Sequence, residues 1–209
     1  MFVSVSNTIL DKNLITGLVL AGGRGTRMGE VDKGLQCLHG KAMALHVLQR
    51  LAAQTATVMI SANQNIATYQ EFGFPVWPDH MQGFAGPLAG IQTGLQHCQT
   101  PYLLCAPCDS PFLPPDLADR LSSALLQSNA ELAVVITWEN RDGIQQKQSH
   151  PVFAMMKTSV LAGLTTYLEN DGRKMQAWHA SLQMCEVLFE DNTVFRNINT
   201  LEELRKLEN

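Results

Sequence analysis

Apolar positions along the chain fall into runs of two kinds. Short aliphatic or β-branched runs cover 15–20, 56–61, 74–77, 102–106 and 132–137, each closed by small, polar or proline residues. Runs of that length and make-up predict buried strands. Between them, apolar residues recur every three or four places over 42–54, 66–72, 87–96 and from Pro114-Pro115 to about Ser128. That spacing predicts helices, with Pro87 suited to a first helical position. Strand and helix alternate, which predicts a parallel sheet covered on both faces. The expected fold is α/β: a Rossmann-like three-layer domain with a mostly parallel sheet.

The alternation loosens after Thr137. Asp142-Gly143 reads as a turn, followed by a polar stretch at 145–149 and a strand at 151–156, so a hairpin or irregular insertion is expected. Helices are predicted over 160–169 and up to His179, and a strand over 186–189. The segment Phe195 to Asn199, FRNIN, is an odd ending for a strand. Thr200-Leu201-Glu202-Glu203 has the form of a capping box opening a last helix. No repeat, low-complexity segment or linker interrupts the sequence, so a single domain over 1–209 is expected.

The stretch Leu14 to Gly34 carries the densest chemistry. A buried strand runs straight into Gly22, Gly23 and Gly25, with Arg24, Arg27 and Lys33 close behind. Glycines let a ligand approach bare backbone N–H groups, and cations complement negative oxygens, so the loop suits a polyphosphate. It is not a dinucleotide fingerprint, because Met28 stands where the third glycine belongs. It is not a P-loop either: Gly40-Lys41 is followed by Ala42, and Leu35 takes the place of the first glycine.

Composition narrows the ligand. The 209 residues are 45% hydrophobic and carry a net charge of −4, which disfavours non-specific nucleic-acid binding. The first ten residues lack a basic signal-peptide region, and no apolar run reaches the length of a membrane span, so a cytoplasmic protein without membrane contact is expected. Five cysteines imply no disulfide framework in a reducing compartment, and Cys105-Ala-Pro-Cys108 ends an apolar strand instead of opening a redox helix.

In a parallel α/β sheet, function gathers at the carboxyl ends of the strands. Those ends contribute Gly22 to Lys33, then Ser61 and Asn63, Asp79, Asp109, and later His150, Asn197 and Asn199. Asp109, held between Pro107 and Pro111, suits a Mg²⁺ ligand between phosphates, although an Asx turn or helix cap explains it equally well. Asp79 is open to a turn role after Pro78. Asn197 and Asn199, two apart, project to one side of an extended segment. His150 is the weakest candidate. Together these parts permit phosphoryl or nucleotidyl transfer, a reaction that rests on charge neutralisation and alignment.

The motifs LAGGRGTRMGEVDKG (Leu20 to Gly34), GPLAGI (Gly86 to Ile91), PCDSPFLPPDL (Pro107 to Leu117), HPVFAM (His150 to Met155) and NINTLEEL (Asn197 to Leu204) follow one another along nearly the whole chain. In that order they resemble the molybdenum cofactor guanylyltransferases. The resemblance implies a fold of the nucleotide-diphospho-sugar transferase type. It also implies transfer of GMP from GTP to the phosphate of molybdenum–molybdopterin, with Mg²⁺ as cofactor and pyrophosphate released. Leu20, Ala21, Gly22 and Gly23 would contact the nucleotide, Lys33 its phosphates, Asp79 the guanine or ribose, and Asp109 the metal. Lys33, Asp109 and Arg27 would be catalytic. Arg27, Arg173, Asn197 and Asn199 match positions on the acceptor side or near the metal. Ser61 replaces an asparagine that some members place on the nucleotide, so Asn63 stands as its substitute. A monomer is expected, with transient cofactor-delivery partners. The alternatives are a CTP-dependent cytidylyltransferase, a sugar-1-phosphate nucleotidyltransferase and a non-catalytic GTP-binding cofactor carrier.

Overall fold

The computed structural model describes residues 9–22, 32–80 and 86–208. Its strands are β1 (Ile15–Leu20), the short pair β2 (Cys37–Leu38) and β3 (Lys41–Ala42), β4 (Thr57–Ser61), β5 (Val76–Trp77), β6 (Tyr102–Pro107), β7 (Leu132–Arg141), β8 (Ile144–Lys157) and β9 (Met184–Leu188). The helices are α1 (Met43–Ala52), α2 (Ile66–Gln70), α3 (Pro87–His97), α4 (Leu117–Gln127), α5 (Leu161–Glu169), α6 (Met175–His179) and α7 (Leu201–Glu208). Seven strands form one sheet in the order β5-β4-β1-β6-β8-β7-β9. Every neighbouring pair is parallel except those made by β8, which runs antiparallel to both β6 and β7.

Helices cover both faces, as the alternation predicts. On one face α1 and α4 bury Val47, Leu48, Leu51, Leu117, Leu121 and Leu125 against Ile15, Val19 and Ile60. Their three-to-four spacing turns one stripe of each helix to the sheet. On the other face α3, α5 and α6 bury Leu88, Ile91, Leu164, Leu168 and Trp178 against Leu18, Leu103, Val134 and Met156. Gly94 lets α3 come close: a Cβ there would overlap the Leu18 side chain. A small cluster of Leu38, Met43, Ile198 and Leu204 fastens α7 beside the β2–β3 hairpin.

The second half is more regular than its sequence suggests. Asp142 and Gly143 both have positive φ, 54° and 80°, the geometry of a tight hairpin turn, and the strands they join run from Leu132 to Lys157. Residues 140–147 are exposed, so no buried stripe marks that part of the hairpin in the sequence. The register shifts between Val134 and Val135, whose partners are Ala154 and His150. Pro151 falls in that bulge, where its missing N–H breaks no ladder. Phe195 to Asn199 is not a strand: a 3₁₀ turn at Thr193–Phe195 leads into an extended segment whose Ile198 N–H donates to the Asp109 carbonyl at 2.9 Å. Among the described residues, no helix is long and apolar enough to cross a membrane.

Candidate active site

The central strands end together. Leu20, the last residue of β1, pairs with Ser61 on β4 and with Pro107 on β6. Beyond these ends the backbones stay tied: Ala21 N–H donates to the Ser61 carbonyl at 2.8 Å, and Cys108 N–H to the Leu20 carbonyl at 3.1 Å. Side chains leaving β4 and β6 are thus held about 10 Å apart across β1.

On the β6 side stands Asp109, buried at 7% exposure. Its Oδ2 lies 3.4 Å from Lys33 Nζ, and its Oδ1 accepts from Asn197 Nδ2 at 3.0 Å. Lys33 Nζ also donates to Asn199 Oδ1 at 2.6 Å, and Ser110 Oγ donates to Asn197 Oδ1 at 3.2 Å. Burial pushes the Asp109 carboxyl above the usual carboxylate range, and the Lys33 ammonium and Asn197 amide pull it back only in part. The two oxygens of Asp109 face Lys33 and Asn197.

The capping box sets the far wall. Glu203 Oε2 accepts from Asn199 N at 2.8 Å and from Thr200 N at 3.3 Å, while Glu203 N donates to Thr200 Oγ1 at 3.1 Å. The start of α7 thereby fixes the backbone of Asn199, one of the two asparagines facing the β6 side.

On the β4 side stands Asp79, and both its oxygens are held. Ser61 Oγ donates to Oδ1 at 2.8 Å and Asn63 Nδ2 to Oδ2 at 2.8 Å, while Asp79 N–H donates to Asn63 Oδ1 at 2.8 Å. Gly22 lies alongside: a Cβ there would sit 3.0 Å from Asn63 Nδ2 and 4.0 Å from Asp79 Oδ2. These three bonds hold the carboxylate in one orientation.

Two solved structures resemble this chain in fold, and a group of relatives resembles it in sequence. The crystal structure of molybdopterin-guanine dinucleotide biosynthesis protein A from Archaeoglobus fulgidus superposes with a TM-score of 0.73 at 22% identity, covering 92% of this chain and 96% of that one. The complex of CMP:2-keto-3-deoxy-manno-octonic acid synthetase with CTP superposes with a TM-score of 0.68 at 13% identity, over 95% and 97% of the two chains. At those identities the likeness concerns the fold. The molybdenum cofactor guanylyltransferase of Ralstonia nicotianae is 55% identical over 194 residues, 92% of this chain and 95% of the relative. That of Cupriavidus taiwanensis is 53% identical over 197 residues, 94% and 98% of the two. The family model of the MobA-like NTP transferase domain matches residues 17–184.

The chain belongs to the MobA-like NTP transferase family.

In this NTP transferase, the structure gathers Lys33, Asp109, Asn197 and Asn199 into one cluster and Gly22, Ser61, Asn63 and Asp79 into the other. Gly23 and Arg27, with Arg24 and Gly25, lie outside the described residues. Arg173 is placed in the turn after α5, where its guanidinium donates to the carbonyls of Leu168 and Gly172, both at 2.8 Å, and to Asp171 at 3.2 Å. His150 packs among Phe153 and Phe195 and shares a 2.9 Å hydrogen bond with Thr137 Oγ1. Burial holds its imidazole below the usual histidine range, which reads as a neutral core group. Two residues that the motifs did not single out also bear on the site, Asp32 and Tyr69. Asp before Lys33-Gly34 carries the signal of an Asx turn; Tyr69 carries none beyond helical spacing.

The donors around Asp109 fit a hard divalent cation. One buried carboxylate and the amide oxygens of Asn197 and Asn199 are all oxygen ligands, as Mg²⁺ prefers, and Mg²⁺ takes its remaining positions from phosphates and water. Among the described residues, no group of three or more His, Cys, Asp or Glu side chains forms an all-protein metal cage.

Proposed function

We propose that this chain is a molybdenum cofactor guanylyltransferase. It transfers GMP from GTP to the phosphate of molybdenum–molybdopterin, and releases pyrophosphate. The observation that carries this reading is the 3.4 Å approach of Lys33 Nζ to Asp109 Oδ2 at the shared ends of β1 and β6. A cation and a carboxylate poised at one edge of a sheet, with Asp79 held by Ser61 and Asn63 on the other side of β1, suit a nucleoside triphosphate lying across β1. The name borne by relatives at about half identity supports the choice of GTP and of the pterin acceptor.

In this reading Leu20, Ala21, Gly22 and Gly23 lie along the nucleotide, and Asp79, braced by Ser61 and Asn63, faces the guanine or ribose. Lys33 and Arg27 hold the phosphates. Asp109, with Asn197 or Asn199, would hold Mg²⁺, which would supply charge neutralisation at the phosphates. Arg27, Arg173, Asn197 and Asn199 flank the acceptor. An oxygen of the pterin phosphate attacks the α-phosphorus, and the bond to the β-phosphate oxygen breaks. The attacking group is already anionic, so alignment and charge do the work that a general base does elsewhere. The chain acts as one domain over 1–209, as a cytoplasmic monomer that hands its product to transient protein partners.

The test is pyrophosphate release from each of the four nucleoside triphosphates with Mg²⁺. GTP is expected to react only when molybdenum–molybdopterin is present, and Asp109→Ala to lose turnover far more than GTP binding. Equal use of CTP would move the assignment to the cytidylyl branch, and turnover with a sugar 1-phosphate would move it out of cofactor synthesis. GTP binding without turnover would leave a carrier.

A further inference from the structure

Asp32 precedes Lys33, and three donors hold its carboxylate. Gly34 N–H donates to Oδ1 at 3.1 Å, Tyr69 OH to Oδ1 at 2.7 Å, and Asn65 Nδ2 to Oδ2 at 3.0 Å. The first bond closes the cap of the 3₁₀ turn at Lys33–Leu35. The other two come from α2 and the residue that precedes it, more than thirty positions away, and tie that turn to the body of the fold.

Both of these donors are costly to place, which argues that their targets matter. Tyr69 is fully buried, and burial, the Cys108 thiol and Asp32 push its phenol far above the usual range, so it remains a proton donor. Asn65 sits at a left-handed φ of 51°, which asparagine tolerates better than most residues. The phenol end also lies against Gly34: a Cβ there would overlap the Tyr69 hydroxyl and approach Cys108 Sγ to 3.2 Å.

We infer that Tyr69 and Asn65 are positioning residues for Lys33: by clamping Asp32 they fix the turn that delivers the ammonium to Asp109 and Asn199. This rests on the reading of Lys33 as the phosphate-holding cation. A lysine side chain has many rotamers, and a turn free to rock would add to what must be ordered on binding. A fixed turn aims the side chain before the phosphates arrive.

Calorimetric titration of the full chain with GTP and Mg²⁺ tests the inference, with guanosine as the phosphate-free control. Tyr69→Phe is expected to weaken GTP binding about tenfold, as loss of one hydrogen bond to a charged group does, and to leave guanosine binding unchanged. Asn65→Gly, which keeps the left-handed backbone, is expected to weaken GTP binding about threefold and serves if Tyr69→Phe does not fold. Placed on Lys33→Ala, either change should add less than about twofold, because a residue acting through Lys33 has nothing left to aim. Equal losses for GTP and guanosine, or full additivity with Lys33→Ala, would overturn the positioning role. If Lys33→Ala weakens GTP binding and neither clamp variant does, the clamp alone falls. If Lys33→Ala itself binds GTP like the wild type, the reading of Lys33 falls and the clamp with it.

Discussion

Lys33 Nζ lies 2.6 Å from Asn199 Oδ1, a hydrogen bond between residues 166 positions apart. It is shorter than the 3.4 Å between the same ammonium and Asp109 Oδ2. The amide therefore steers the cation, while the carboxylate supplies most of the charge. The two asparagines divide the labour: Asn199 orients Lys33, and Asn197 orients Asp109 through its 3.0 Å bond to Oδ1.

Substituting each asparagine should separate those roles. Asn199→Ala frees Lys33 and is expected to raise the KM for GTP about tenfold with a smaller change in kcat. Asn197→Ala frees the carboxylate and is expected to lower kcat about tenfold or more with a smaller change in KM. Steady-state kinetics on both variants gives the split. Identical profiles for the two would mean that the cluster acts as a single unit and that the division is wrong.

Asp79 offers a second comparison. Asn63 makes two bonds with it and Ser61 makes one, all at 2.8 Å. Asn63→Ala leaves a carboxylate oxygen and a backbone N–H without their partner, whereas Ser61→Ala leaves one oxygen. GTP affinity is expected to fall about tenfold or more for Asn63→Ala and about threefold for Ser61→Ala. Binding of inorganic triphosphate, which engages only the Lys33 side, should change in neither. A larger loss for Ser61→Ala would overturn this account of how Asp79 is held.

These bonds also show what the sequence could and could not reveal. Lys33, Asp79, Asp109, Asn197 and Asn199 were legible because each follows a strand end or an extended run, and a parallel sheet brings such ends together. Apolar runs marked β1, β4 and β6 for the same reason: they are buried on both faces and read as continuous hydrophobic stretches. The outer β7–β8 hairpin was harder, since residues 140–147 are exposed and leave no alternation to read. The β2–β3 hairpin turns through His39 and Gly40 at φ of 50° and 74°, and histidine is not a usual turn residue. Tyr69 lies in a stretch whose spacing predicts a helix and nothing more. Its bond to Asp32, 37 positions away, lies in no local pattern.

Two glycines of α3 test whether packing and binding can be told apart. In a helix, Gly→Ala ordinarily gains about 1 kcal/mol from propensity. At Gly94 the new methyl meets Leu18, which is fully buried, so a net loss of about 1–3 kcal/mol and a Tm lower by several degrees are expected, with KM unchanged. At Gly90 the methyl would lie 2.7 Å from Leu20 Cδ2 and 2.8 Å from Ser61 Oγ, the hydroxyl that holds Asp79. Gly90→Ala should therefore lower both Tm and GTP affinity. Thermal melts and GTP titrations of the two variants check this. A Gly94→Ala variant more stable than the wild type would show that α3 has room to move off the sheet.

His179 sets an acid limit on the fold. The residue is 4% exposed, its Nε2 has no hydrogen-bond partner among the described residues, and burial holds its pKa down to about 4 from the usual 6.5. Between those values the unfolded chain binds a proton that the folded chain refuses. Stability is thus complete above about pH 6.5 and is lost as pH falls toward 4. A gap of that size corresponds to roughly 3 kcal/mol, since each pKa unit is about 1.4 kcal/mol. His150, also held below the usual range by burial, acts in the same direction and would keep part of the slope in any His179 variant. His179→Leu, close in volume and without the titrating ring, should melt near the wild type at pH 7.5 and several degrees above it at pH 4.5. The measurement is Tm against pH for both proteins in one buffer series. Parallel curves would mean that the imidazole accepts its proton inside the fold, through a partner or a local opening near α6 that the closed packing around Trp178 does not provide.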